Sequence, residues 1–136
     1  MEINARTLLP TLLFTGLAVV GLMGLVAAER NPEAAKLKNP VATSAESIAA
    51  GEKLYMRRCR SCHGRAGTGG PAKDAGDAPA SNLVDGVWDF GSTDGEIYYV
   101  IRNGVEPALI MEPWDDRIDE TETWQIVNYL RSIAEK

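Results

Sequence analysis

Cys59, Cys62 and His63 stand within the stretch RRCRSCHG, residues 57–64, and the chain contains no other cysteine and no other histidine. Thiols at this spacing with an imidazole directly behind the second can form two thioether bonds to a porphyrin while the imidazole takes an axial site on its iron. Zinc wants four nitrogen or sulfur ligands, and this trio supplies three. A redox Cys-x-x-Cys pair sits at the N-terminal end of a helix, where the dipole lowers the thiol pKa; here the motif closes a helical stretch. A plain disulfide accounts for the cysteines but leaves His63 to chance. The chemistry implied is one haem c, covalently held by Cys59 and Cys62, with His63 on the iron.

The second axial position needs a donor, and no second histidine exists. Methionine sulfur remains, at Met1, Met23, Met56 and Met111. The first two belong to the front segment. Met56 lies three residues before Cys59 on the proximal helix and cannot reach the far side. Met111, in GVEPALIMEPWDD, sits on a later loop and is left by elimination as the second metal ligand beside His63. A thioether in that position favours ferrous iron, and two filled axial sites leave none for a substrate. Such an iron relays single electrons.

Composition narrows the partners. The formal net charge of −5 and the lack of a broad Lys/Arg run argue against nucleic acid. Charge is uneven: Arg57, Arg58, Arg60, Arg65 and Lys73 surround the cysteine motif, whereas residues 74–122 are mostly acidic, with Arg102 and Arg117 as exceptions. This is either a solvated surface or a dipole that orients the molecule on a redox protein partner.

Three helices must position these groups. The first is expected to begin at a Thr43 cap with Glu46 completing a capping box, and to run into Cys59 and Cys62. Its inner face is Ile48, Gly51, Leu54 and Tyr55; a mid-helix glycine costs about 1 kcal/mol against alanine, so Gly51 calls for a packing reason. Residues 64–92 read as a long loop that a porphyrin could organise, with Trp88 and Phe90 as apolar wall. A second helix is expected over Asp94–Asn103, capped by Thr93 and Glu96, stopped by Gly104, and burying Ile97, Val100 and Ile101. The last, residues 119–136, starts at an Asp119 cap and buries Ile126, Tyr129, Leu130 and Ile133.

Ahead of these lies TLLPTLLFTGLAVVGLMGLVAA, residues 7–28, apolar and uncharged. It is long enough for a bilayer, which takes about 20 residues, and longer than the apolar core of most cleaved signals. An uncleaved anchor over residues 1–28 is the favoured reading, a secretory signal the competing one. Residues 29–43, with Pro32 and Pro40, read as a tether whose ends would lie about 20 Å apart.

Over residues 44–136 the chain resembles a class I c-type cytochrome. The order CRSCH, Met111 and NYLRS matches that family's attachment helix, distal methionine and aromatic–leucine C-terminal helix. The resemblance implies an all-α cytochrome c fold, here preceded by a single transmembrane helix, in which the first and last helices cross so that Gly51 and Tyr55 meet Ile126 and Tyr129. It implies that the axial imidazole donates its other ring proton to a backbone carbonyl at a loop proline, with Pro79 the better match and Pro71 the weaker. It implies haem attached outside the cytoplasm, on the periplasmic side of the membrane. Family members commonly place proline directly after the ligand methionine; here Glu112 intervenes before Pro113.

The resulting cofactor-binding set is Cys59, Cys62, His63, Met111, Pro79, Trp88, Phe90, Ile97 and Ile101, with no catalytic residue. The expected activity is one-electron transfer by a membrane-anchored cytochrome, acting as carrier or subunit of a respiratory or photosynthetic electron-transport complex. The competing class is a haem enzyme or gas-binding protein with an open axial site, which for peroxidase-like chemistry would need a distal acid–base group that this sequence does not supply.

Overall fold

The computed structural model describes residues 30–71, 79–105 and 111–134; the apolar run 7–28 and Lys73 lie outside them. Among the described residues there are four α-helices, one short 3₁₀ turn and no strand beyond a single antiparallel bridge between Gly70 and Ala80. None of these helices is long and apolar enough to cross a membrane.

Helix α1 spans Ala45–Arg58. It starts one residue later than the Thr43 and Glu46 pattern suggests, because Ser44 and Ser47 make the reciprocal cap: Ser47 N–H donates to Ser44 Oγ at 3.2 Å and Ser44 N–H to Ser47 Oγ at 3.0 Å. The Thr43 hydroxyl is engaged elsewhere, donating to Asn128 Oδ1 at 3.2 Å. Ile48 packs against the core as expected but is only partly buried, and Ser47 beside it is buried. The helix does not run unbroken through both cysteines. It caps at Cys59, and a separate turn, α2, Arg60–His63, carries Cys62 and His63 before Gly64 ends it.

Helix α3 is Asp94–Asn103, with Thr93 and Glu96 as its capping box and Gly104 at its end, as the sequence suggests. Helix α4 is Glu120–Ile133. Asp119 accepts from Glu122 N–H at 2.7 Å and Glu122 returns the bond to Asp119 N–H at 3.0 Å. The helix stops short of the expected residue 136, since Ala134 is already extended.

The first and last helices pack against each other, and Gly51 explains how closely. A Cβ there would overlap the backbone carbonyl of Gln125 and press on Tyr129 Cβ at 2.9 Å. The predicted crossing is present, with Gln125 rather than Ile126 as the backbone partner. Beside it the rings of Tyr55 and Tyr129 tilt against each other with centroids 5.2 Å apart. Leu54, Ile126, Val127 and Leu130 complete the buried seam. Tyr98 of α3 stacks on Trp124 of α4 at 4.1 Å and brings the third helix in.

The stretch expected as a tether is packed against the helices instead. Residues Ala34–Lys36 form the 3₁₀ turn, Ala34 is buried, and its carbonyl lies where only a glycine, Gly95, lets α3 approach. Asn39 Nδ2–H donates to Asn128 Oδ1 at 2.9 Å, and Asn128 donates in turn to Val41 O and Ser47 Oγ. The prolines do limit helix here, yet the buried Asn128 fixes the chain on either side of Pro40. Leaving such a buried amide unpaired would cost about 1–3 kcal/mol.

Two consequences can be measured. Gly51→Ala lowers stability by about 2 kcal/mol in denaturant titration, because overpacking against backbone outweighs the propensity gain of about 1 kcal/mol; an unchanged or raised midpoint would refute the contact. Glu96 is buried, and the Thr93 N–H that its carboxylate accepts at 2.9 Å holds its pKa below the usual carboxylate range, against the opposing effect of burial. A depressed folded-state pKa contributes stability above the unfolded value, about 4.3, that is lost as pH falls through the folded one. The stability gap between wild type and Glu96→Gln therefore narrows as pH drops below about 4; a gap independent of pH would contradict this.

Candidate functional site

The cysteine motif ends α1 because the chain turns there. Cys59 N–H still donates to Tyr55 O at 2.9 Å, while Cys62 and His63 N–H both donate back to Cys59 O, at 3.1 and 3.0 Å. The segment behind it folds over the motif: Gly69 N–H donates to His63 O at 3.0 Å, Leu83 N–H to Gly67 O at 2.7 Å, and the Tyr55 hydroxyl to Gly64 O at 2.7 Å. Burial pushes that tyrosine up to about 12, so it remains a neutral donor.

These pieces enclose one side of a cavity of about 300 Å³, lined mainly by apolar side chains. All nine residues singled out in the sequence lie on its wall: Cys59, Cys62, His63, Pro79, Trp88, Phe90, Ile97, Ile101 and Met111. Ile126 and Leu130 reach it from α4 and Val100 from α3. The two cysteines are not joined by a disulfide. Burial, and secondarily the Cys62 sulfur, push the Cys59 thiol up to about 12. A redox Cys-x-x-Cys pair needs the opposite, a thiolate near neutral pH. Among the described residues no group of three or more His, Cys, Asp and Glu side chains could chelate a metal ion on its own. Two thiols, an imidazole and a thioether around an apolar slot instead suit a flat apolar group with iron at its centre.

His63 is oriented by its second nitrogen. Nδ1 lies 3.1 Å from the carbonyl of Ser81, which can only accept, so Nδ1 is the donor and Nε2 is the nitrogen left for a ligand. The acceptor is thus Ser81 and not the expected Pro79 or Pro71. The Gly70–Ala80 bridge sets this register, and in extended chain residues two apart present their carbonyls to the same side. Pro79 lies on the cavity wall, one such period earlier. The Ser81 hydroxyl meanwhile donates to Asp89 Oδ2 at 3.3 Å.

Trp88 is held from α4. Arg131 lies over its ring at 5.8 Å, donates from Nε to Asp94 Oδ1 at 2.7 Å, and bonds the carbonyl of Ser92. Met111 is fixed by backbone: Val105 N–H donates to its carbonyl at 3.0 Å. Gly104, at φ +73°, makes room, since a Cβ there would press on that carbonyl and on Pro113 N. Three residues on, Trp114 also lines the cavity and donates its N–H to Ile101 O and Arg102 O at 3.2 and 3.3 Å.

Sequence reasoning missed Ser81 and Trp114. Nothing in DAPASNL separates Ser81 from its neighbours. Trp114, a large apolar ring in an acidic loop just behind Met111, was visible as an oddity. Arg57, Arg58, Arg60 and Arg65, neighbours of the cysteine motif in sequence, are all exposed, and Arg58 lines the cavity wall.

Similarity to known proteins points the same way as this geometry. Residues 46–130 match the family model described as cytochrome c oxidase, cbb3-type, subunit III. The cbb3-type cytochrome c oxidase subunit FixP of Bradyrhizobium diazoefficiens is 31% identical over 63% of this chain and 27% of its own length. Subunit CcoP of an Azospirillum species is 25% identical over 71% of this chain and 32% of its own. The chain thus spans about a quarter to a third of the curated relatives it matches. Among solved structures, cytochrome cL of the marine methylotroph Methylophaga aminisulfidivorans aligns with a TM-score of 0.57 at 26% identity, over 68% of this chain and 56% of that one. On the match over residues 46–130, this c-type cytochrome belongs to the family of cbb3-type cytochrome c oxidase subunit III.

Proposed function

We propose that the chain is a one-electron carrier holding a single haem c, with thioether bonds at Cys59 and Cys62 and with His63 Nε2 and Met111 Sγ as axial ligands. The observation that carries this reading is the shared cavity: Cys59, Cys62, His63 and Met111 all line it, and His63 Nδ1 is engaged by the Ser81 carbonyl, which directs Nε2 to the ligating role. Bound there, the group would supply a ferric–ferrous couple. The protein's own part is to seal it. Ile97, Ile101, Ile126 and Leu130 exclude water from one side, while Trp88 and Phe90 wall the loop side. Low polarity and a thioether ligand both favour the reduced form, and an iron with both axial sites filled exchanges electrons without binding substrate.

The carrier is further proposed to work on the periplasmic side of a membrane, anchored by residues 7–28, as a partner or subunit of a respiratory complex of the cbb3-oxidase kind. Support comes from the names of its relatives and from the uncharged apolar run. Arg57, Arg58, Arg60 and Arg65, exposed around the attachment motif, form the face offered to an acidic redox partner.

The purified protein keeps its colour through acidic organic solvent, because thioether bonds do not release the pigment. Ferric wild type takes up cyanide slowly, and Met111→Ala takes it up faster by about tenfold or more, the gain from lowering a barrier by about 1.4 kcal/mol. A pigment that washes out, or equally fast cyanide uptake in both proteins, would overturn the proposal, the latter in favour of an open-site haem enzyme. Separately, oxidation of the ferrous protein by the ferricyanide anion in stopped flow slows by about tenfold in Arg57→Glu/Arg60→Glu at low salt and converges with wild type at high salt. Equal rates at low salt would remove the basic face from the mechanism.

A further inference from the structure

Met111 opens a short segment that reaches Ile118 at the start of the approach to α4, and the segment is closed on itself by charge. Arg117 Nη1 and Nη2 both donate to Glu112 Oε2, each at 3.1 Å. The same guanidinium lies over the Trp114 ring at 4.8 Å, and its Nε stands 3.4 Å from Asp116 Oδ1. Trp114 O accepts from Arg117 and Ile118 N–H, both at 3.1 Å, which makes a single turn that brings residue 117 back over residue 112. Ile118 is buried and its carbonyl accepts from Arg102 Nη1 at 2.8 Å, so the far end of the segment is tied to α3.

Backbone bonds at Met111 O and Trp114 N fix two points, and among the described residues no backbone hydrogen bond is made by Glu112 between them. That residue directly follows the methionine on the cavity wall. Its only hydrogen-bond partner among the described residues is Arg117, and the Arg117 guanidinium lies over an aromatic ring, Trp114, that lines the cavity.

We infer that the Glu112–Arg117 pair, stacked on Trp114, is a brace that positions Met111 against the iron. This rests on Met111 being the axial ligand, as proposed above. The side chains are substantially exposed, 61% for Glu112 and 40% for Arg117, so the pair adds little to global stability. Its effect is local: it resists the outward swing of the loop that a competing ligand needs in order to displace sulfur. Glu112 and Arg117 act through Met111 and are positioning residues.

The test uses the full-length ferric holoprotein, with cyanide as the competing ligand and the far-red sulfur-to-ferric-iron absorption band as the report on Met111. Glu112→Gln and Arg117→Gln each weaken the band and speed cyanide uptake by about fivefold, the factor that corresponds to about 1 kcal/mol. The double variant is no faster than either single one, because both remove the same brace. Raising ionic strength from about 0.01 M to about 1 M speeds uptake in wild type but not in Glu112→Gln, since an exposed pair is screened. Unfolding midpoints stay near wild type, which separates positioning from a loss of folding. A wild-type band that neither substitution nor salt disturbs, with unchanged cyanide rates, overturns the brace while leaving Met111 as ligand. A wild type without the band overturns both.

Discussion

Backbone meets backbone where Gly51 of α1 faces the Gln125 carbonyl of α4, and the remaining architecture depends on that approach. It lets helices from opposite ends of the domain share one seam with Tyr55, Tyr129 and Leu130 buried beside it. The carboxyl end of α1 then delivers Cys59, and the following turn Cys62 and His63, to the same cavity that Ile126 and Leu130 enter from α4. A methyl at residue 51 would lever those helices apart. The wall of the site would then lose two of its apolar side chains together with the anchor of its cysteines.

The cavity explains why so long a loop is tolerated. Its wall is mostly apolar and open to solvent, and each Å² of it that a bound apolar group covers is worth about 25 cal/mol. The walls are economical only around a large apolar plate. The described parts of residues 64–92 are tied to the motif: His63 O, Gly64 O and His63 Nδ1 each take a partner from this region or from α1. The polar groups are satisfied as well, and among the described residues no buried side-chain nitrogen or oxygen lacks a hydrogen bond.

Much of this was legible because its signals are local or chemically rare. Thr93 and Glu96, like Asp119 and Glu122, sit at capping-box spacing before apolar stripes, and both boxes form. Gly51 advertised a close approach by its unfavourable place in a helix. One histidine and two cysteines left few alternatives for the chemistry. Legibility ended where several short polar residues compete for one task. Thr43, Ser44, Glu46 and Ser47 could all cap α1, and the buried amide of Asn128 decided the matter by taking the Thr43 hydroxyl, a contact 85 residues away. Ser81 displaced Pro79 for a similar reason, since the bridge partner that sets its register lies across the loop at Gly70.

The packed course of residues 31–43 changes the mechanics of the molecule more than any other departure from expectation. A free leash of that length would let the domain wander by about 20 Å. Here Asn31 Oδ1 caps the 3₁₀ turn through Glu33 and Ala34 N–H, Ala34 sits against Gly95, and Asn39 is tied to Asn128. A leading segment held in this way moves with α3 and α4 as one body instead of swinging about them. The hydrogen bonds of one buried asparagine thus decide whether this stretch travels with the helices or apart from them.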